Sequence, residues 1–272
     1  MHAGRGRRPV GRFPLTRFSI RAILITTLAV TGCTRLPAAD VKRIQQAHQA
    51  YSAGRYSQSQ QLVTPVIAQY PTQPDVAEAL YVRGLAWLKT GKTDSARADF
   101  EAALRVADRE DLIPLLHAQL GNLDYEAARY QSAIAHYRRA DSDLPARPPS
   151  DRVLKRYAEA LQRIGRFDEA KRVQARLLLR FPQSQTATQV RQTGSWAKDY
   201  YTIQCGVYTK PDAARRAAAD LSKRGVNASA WREERNGLVR HIVRSGRYQT
   251  HAEASQALAA VRRVVPDAFI VP

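Results

Sequence analysis

Methionine occurs once, at Met1, and cysteine twice, at Cys33 and Cys205. Two cysteines allow one disulfide at most, and if Cys33 is modified Cys205 is alone and no intrachain disulfide framework is expected. Acidic residues are scarce as well: 24 against 43 basic side chains leave a formal net charge of +19. The signatures of common catalysis are also missing. The six histidines (His2, His48, His117, His136, His241, His251) show no His-Glu-x-x-His spacing. There is no Gly-x-Ser-x-Gly elbow, no phosphate-cradling glycine loop and no cysteine with a histidine near it in sequence. His117 and His136 read as surface or packing residues. The chain is therefore expected to be no enzyme, with no cofactor and no metal.

The first residues carry Arg5, Arg7, Arg8, Arg12, Arg17 and Arg21 and no acid. An apolar run from Ala22 to Val30 follows, then Gly32-Cys33, and the run is too short to span a bilayer. A basic region, a short apolar region and a small residue before the cut read as a secretory signal over residues 1–32. Val30-Thr31-Gly32-Cys33 resembles a bacterial lipobox, which implies that Cys33 is lipidated and that the mature chain is anchored to a membrane. An ordinary signal with an incidental cysteine fits the same residues. Thr34 in place of Asp implies the outer membrane, facing the periplasm. With the six leader arginines gone, 37 basic and 24 acidic side chains leave +13 (37 − 24).

After a tether at 33–39 comes a repeat. Gly54, Gly91, Ala128 and Gly165 lie thirty-seven residues apart, in frame with Ala47, Gly84, Gly121 and Ala158. The same frame aligns Tyr56, Thr93, Tyr130 and Phe167, then Ser59, Ala96, Ala133 and Ala170, and closes on Pro71, Asp108, Pro145 and Pro182. Self-similarity at this period means stacked helical hairpins. Small columns let the two helices of a hairpin approach closely, and the aromatic column is expected to fill grooves between neighbours. Glycine suits a left-handed turn after the first helix, and proline stops the second. Leu120-Gly121, Tyr130, Ala133, Tyr137, Ala140 and Pro145 resemble the tetratricopeptide (TPR) pattern, which implies an all-α solenoid of four hairpins over 40–186 and a protein partner in its concave surface. The first and fourth copies are weaker (Ser59, Gln174), as for end repeats with one face in water. Residues 187–197 read as a hinge or a capping helix.

The stretch 198–272 repeats itself at a shift of forty: Ile203 with Val243, Gly206 with Gly246, Tyr208 with Tyr248, Ala214 with Ala254, Ala217 with Ala257, Leu221 with Val261. Each half is a β-rich run ending at a glycine and then an Ala-rich helical run. Asn227 to Glu234 and Asp267 to Val271 supply two more strands, giving a small α+β βαββαβ ferredoxin-like fold with both helices on one face and the other face bare. Ile203-Gln204-Cys205-Gly206-Val207-Tyr208 and Val243-Arg244-Ser245-Gly246-Arg247-Tyr248 resemble the paired apolar-x-x-Gly-x-aromatic motifs of the SPOR (sporulation-related repeat) domain. That resemblance implies binding of peptidoglycan glycan strands, often at the division site, and implies Gln204 as a glycan contact. Val207 stands where that family usually has Ser or Ala.

Alternation puts Ile203 and Cys205 toward the helices and leaves Thr202, Gln204, Ile242 and Arg244 on the bare face. Trp231 reads either as a platform for a sugar ring or as an edge tryptophan packed on a helix. Cys205 reads as a packing thiol, and Tyr208 and Tyr248 as helix pins. A four-stranded sheet of this order also serves RNA-recognition motifs, but the aromatic-rich strand they require is absent, so no nucleic acid is expected. The excess positive charge suits anionic lipid, lipopolysaccharide or acidic stem peptides, and much of it is solvated helix face. Two functions fit: a non-enzymatic envelope lipoprotein that holds glycan strands and recruits a partner, or a TPR scaffold whose C-terminal sheet makes only protein contacts.

Overall fold

The computed structural model describes residues 35–193, 199–235 and 237–272. The leader, including Cys33, lies outside the described residues. Four helical hairpins come first: α1 (Ala38–Ser52) with α2 (Tyr56–Gln69), α3 (Val76–Lys89) with α4 (Thr93–Val106), α5 (Ile113–Glu126) with α6 (Tyr130–Asp141), and α7 (Ser150–Arg163) with α8 (Phe167–Arg180). Each hairpin turns at the position the thirty-seven-residue frame marks. Gly54, Gly91 and Gly165 hold φ of 75°, 76° and 79°, and Ala128 holds the same left-handed conformation at 55°.

The small columns let aromatic rings lie against the backbone. A Cβ at Gly84 would come 2.5 Å from the fully buried Phe100 ring, and one at Gly121 would come 2.7 Å from Tyr137. Adjacent hairpins then bury one continuous set of side chains each. Val63, Val82, Phe100 and Leu116 belong to the first core, and Tyr137, Leu154, Leu161 and Leu177 to the second.

The aromatic column behaves differently from the expectation. Tyr56 and Tyr130 pack within their own hairpins, on Tyr51 (5.5 Å between ring centroids) and Tyr125 (5.7 Å). The fourth repeat also lacks the open end its weak pattern suggests. A ninth helix, α9 (Gln185–Thr193), lays Ala187 and Val190 on its core, and Gln174 is buried. Covering that end explains why the repeat needs no polar outer face.

The remainder is a sheet of β1 (Tyr201–Tyr208), β2 (Ala228–Arg235), β3 (Leu238–Tyr248) and β4 (Phe269–Val271), with α10 (Pro211–Lys223) after β1 and α11 (His251–Arg262) after β3. Strand order is β2-β3-β1-β4, all pairs antiparallel, so β1 and β3 are the central neighbours. The helices pack on one face, over Ile203 and Val243, through Ala214, Ala218, Leu221 and Val261. Thr250 and Glu253 form a reciprocal cap at the start of α11.

The two parts touch. Phe167, the aromatic of the fourth repeat, packs with Tyr201 of β1 and Ala254 of α11 in a small core of its own. Gln249 Nε2 donates to the Gly165 carbonyl at 3.3 Å, and Lys171 pairs with Asp199. Among the described residues no helix is long and apolar enough to cross a membrane, and no cluster of metal-ligating side chains forms.

Candidate binding face

The physical basis of the duplicated motif is a ring folded over a glycine. Tyr208 and Tyr248 each lie two residues beyond a glycine on the same strand, on the helix side of the sheet. A Cβ at Gly206 would sit 3.0 Å from the Tyr208 ring, and one at Gly246 would collide with the Tyr248 hydroxyl. Gly246 also needs its left-handed φ of 71°.

Both glycines sit at register shifts between β1 and β3, one between Tyr201 and Ile203 and one between Gln204 and Gly206. The second inserts Cys205 as an extra residue on β1. Cys205 and Gly206 therefore both look toward the helices, and the alternation changes phase. Val207, which unbroken alternation from Gln204 would turn inward, pairs with Ile242 and is 46% exposed. The half-buried Cys205 thiol packs against the helix-side core, and burial raises its pKa above the ordinary thiol value.

The face opposite the helices gathers all four residues singled out from sequence. Gln204 pairs with Arg244, and Trp231 pairs with Ile242. Trp231 is 37% exposed there rather than packed on a helix, and Phe269, the β4 partner of Gln204, is 48% exposed. Val207 and Phe269 were not legible as members of this face. The bulge hides the first, and β4 is too short for its pattern to fix a phase.

Two expectations need correction. Thr202 is buried and donates to the Ser245 carbonyl at 3.1 Å, a bond placed by the irregular register at Tyr201, so it offers nothing to a ligand. Ile242 lies in the row but is only 6% exposed. Arg244 Nη2 donates to Glu233 Oε2 at 2.6 Å, although Glu233 pairs with Arg240, four residues along β3. The two side chains can meet only by reaching past the Trp231–Ile242 pair, so they cover Ile242 and make it floor rather than platform. The Arg244 side chain keeps 10% exposure, burial lowers its pKa, and its Nε is buried with no partner among the described residues. A second arginine, Arg247, lies 4.8 Å from the Tyr200 ring centroid and 5.5 Å from that of Trp231, which restrains the indole at the edge of the row.

Such a surface joins exposed rings and aliphatic groups with an amide and a guanidinium whose Nε–H lacks an acceptor among the described residues. It can lie under an apolar sugar face and hydrogen-bond amides and hydroxyls, and none of its groups is poised as a nucleophile or general base.

A second surface runs along the first helices of the hairpins. Tyr81, Leu85, Leu115 and Tyr125 line a groove of about 830 Å³ together with Lys89, Arg147, Arg152, Lys155 and Arg156, and Glu159 is the one acid among its described lining residues.

Comparison with known proteins assigns both parts. Residues 197–272 match the SPOR domain model, and residues 44–112 and 124–191 each match a tetratricopeptide repeat model. No curated protein matches the chain. Among solved structures it is similar to a mutant of MamA, at 25% identity over 55% of this chain and 82% of that one, with a TM-score of 0.42. It is also similar to PilF of Pseudomonas aeruginosa, at 16% identity over 69% of each chain and a TM-score of 0.45. A further likeness is to YrrB, described as a TPR protein with an unusual peptide-binding site, at 15% identity over 84% of this chain and 87% of that one, TM-score 0.45. These overlaps are loose, and the family models carry the assignment: the chain bears tetratricopeptide repeats followed by a C-terminal SPOR domain.

Proposed function

We propose that this chain is a non-enzymatic lipoprotein of the bacterial envelope, anchored through Cys33 in the outer membrane, that holds peptidoglycan glycan strands on the open face of its SPOR sheet. Both family assignments are binding modules rather than catalytic ones, which supports a scaffold. The observation that carries the glycan reading is the helix-free sheet face, where Gln204, Trp231, Val207 and Phe269 surround the covered Ile242. Glycan strands are neutral polyols with amide groups. Trp231 and Phe269 supply surfaces for ring stacking, Gln204 an amide, and Arg244 a guanidinium that keeps 10% exposure beside Glu233.

The hairpins recruit a protein partner, and the groove argues for its chemistry. Lys155 and Arg156 are paired with Glu159 and Glu126, and Lys89, Arg147 and Arg152, which no carboxylate pairs among the described residues, stand over an apolar floor that suits an acidic segment with aromatic or aliphatic anchors. A role at the division site follows the habit of SPOR domains and is part of the proposal.

The test is co-sedimentation of the Cys33→Ser chain, which carries no lipid, with purified sacculi, intact or stripped of stem peptides. Pelleting should rise on stripped sacculi and fall about tenfold in affinity, about 1.4 kcal/mol, in Gln204→Ala or Trp231→Ala. A chain that stays in the supernatant with both preparations would leave a scaffold whose sheet makes only protein contacts.

A further inference from the structure

Charge on the open face of the SPOR sheet does not cancel. Strand alternation puts Ser229, Trp231 and Glu233 of β2 on that face, opposite Arg244, Ile242 and Arg240 of β3. Glu233 is the one carboxylate at these positions, against two guanidinium groups. Glu234, the next acid along β2, turns to the other face and pairs with Arg232 at 3.0 Å. The direct partner of Glu233 across the ladder is Arg240, yet its Oε2 accepts from Arg244 Nη2 at 2.6 Å. Arg240 pairs with no carboxylate among the described residues.

Arg244 has only neutral neighbours across the ladder, Gln204 on β1 and Ser229 on β2. Its one carboxylate arrives from two rows away. That carboxylate is the outer member of the pair: the Glu233 side chain is 40% exposed and the Arg244 side chain 10%. An ion pair with one member this open to water is screened and holds its geometry weakly. Arg244 is thus a position that already holds a carboxylate, lent by a side chain with a nearer cationic partner of its own.

We infer that Arg244 is a carboxylate-binding position on the strand-binding face, and that Glu233 fills it when no ligand is present. A carboxylate carried by the bound strand takes the Arg244 guanidinium, and Glu233 swings onto Arg240, so that two carboxylates meet two guanidinium groups. The inference rests on the glycan reading and deepens it. Sugar rings are neutral, but the muramic unit carries a lactyl ether arm. With a stem peptide attached that arm ends in an amide, and hydrolysis of the amide leaves a free carboxylate on the sugar. A ring lying on Trp231 holds its substituents one row from Arg244. Stem peptides carry carboxylates too, so the chemistry has two sources.

Calorimetric titration of the Cys33→Ser chain with soluble glycan strands tests it. The probes are strands freed of stem peptides, the same strands with their carboxyls capped as methylamides, and strands that keep their stem peptides. The parent should bind uncapped stripped strands at least about tenfold more tightly than capped ones. Glu233→Gln removes the internal competitor and should raise that preference about threefold or more, a gain that misfolding does not produce. Arg244→Gln should bind capped and uncapped strands alike. With the carboxylate dependence in place, tighter binding to stripped strands assigns the carboxylate to the sugar, and tighter binding to strands with stem peptides assigns it to the peptide. The inference fails, and the glycan reading stands, if the parent binds capped and uncapped strands equally, if Glu233→Gln gains nothing, or if Arg244→Gln keeps the preference. Absence of binding to all three probes up to about 1 mM would overturn both.

Discussion

At the scale of single residues, one position breaks the chain's own rule. Gly54, Gly91 and Gly165 take the left-handed turn conformation without a side-chain penalty, whereas Ala128 takes it with a Cβ, at φ 55°. That conformation costs an L-residue about 1–2 kcal/mol, and glycine gives back about 0.4–1 kcal/mol through the entropy of the unfolded chain. Ala128→Gly should therefore stabilise by about 0.5–1 kcal/mol, a rise of about 2 °C in melting temperature for a chain of this size. A scanning-calorimetry midpoint at or below the parent's would show that the turn is not strained at Ala128. The same column makes the turns legible from sequence, because the requirement for φ > 0 selects glycine directly.

At the scale of elements, α5 and α6 are joined by an unusual contact. His117 Nδ1 and His136 Nδ1 lie 3.1 Å apart, so one ring donates to the other and at least one is neutral. Burial, with His136 and Arg139 adding repulsion, pushes His117 down to about 4. His136 is lowered too, by burial first, with Arg139 and Arg97 opposing its protonation and Asp124 and Glu101 favouring it. In the unfolded chain both would titrate near about 6.5. Between about pH 6.5 and 4 the unfolded chain thus binds protons that the folded one refuses, so stability falls as pH falls through that window. In His117→Gln the loss of melting temperature between those pH values should be shallower than in the parent, and an identical slope would refute the assignment. This pair was not legible beforehand: the period places both histidines in the third hairpin, but only helix packing brings the rings together. Legibility elsewhere follows the same division. Hairpins and the residues facing the sheet's helices follow from periodicity, and the strand order from the βαββαβ fold that the duplicated halves imply, whereas the exposure of Val207 and the covering of Ile242 depend on a bulge and on two long side chains meeting.

At the scale of the whole molecule, the question is why helical repeats and a SPOR sheet form one continuous body. Stacked repeats need a cap for the last exposed face, and α9 together with the SPOR domain supplies it. Phe167 is the pivot. It occupies the repeat's aromatic column, yet its ring lies 5.6 Å from that of Tyr201, which in turn meets His251 edge-on at 5.4 Å. Beyond this ring cluster the described contacts at the junction include the Gln249–Gly165 hydrogen bond and the exposed Lys171–Asp199 pair, contacts worth little by themselves. Phe167→Ala removes a ring that is 3% exposed, a change that costs about 3–5 kcal/mol in a well-packed site. Because that loss falls on the seam, the two parts should no longer melt together: calorimetry of the variant should resolve a SPOR transition apart from that of the repeats, where the parent should show one coupled transition. A variant that still melts in one transition near the parent's temperature would mean that the seam is held elsewhere, and that the fourth repeat keeps its aromatic for its own core alone.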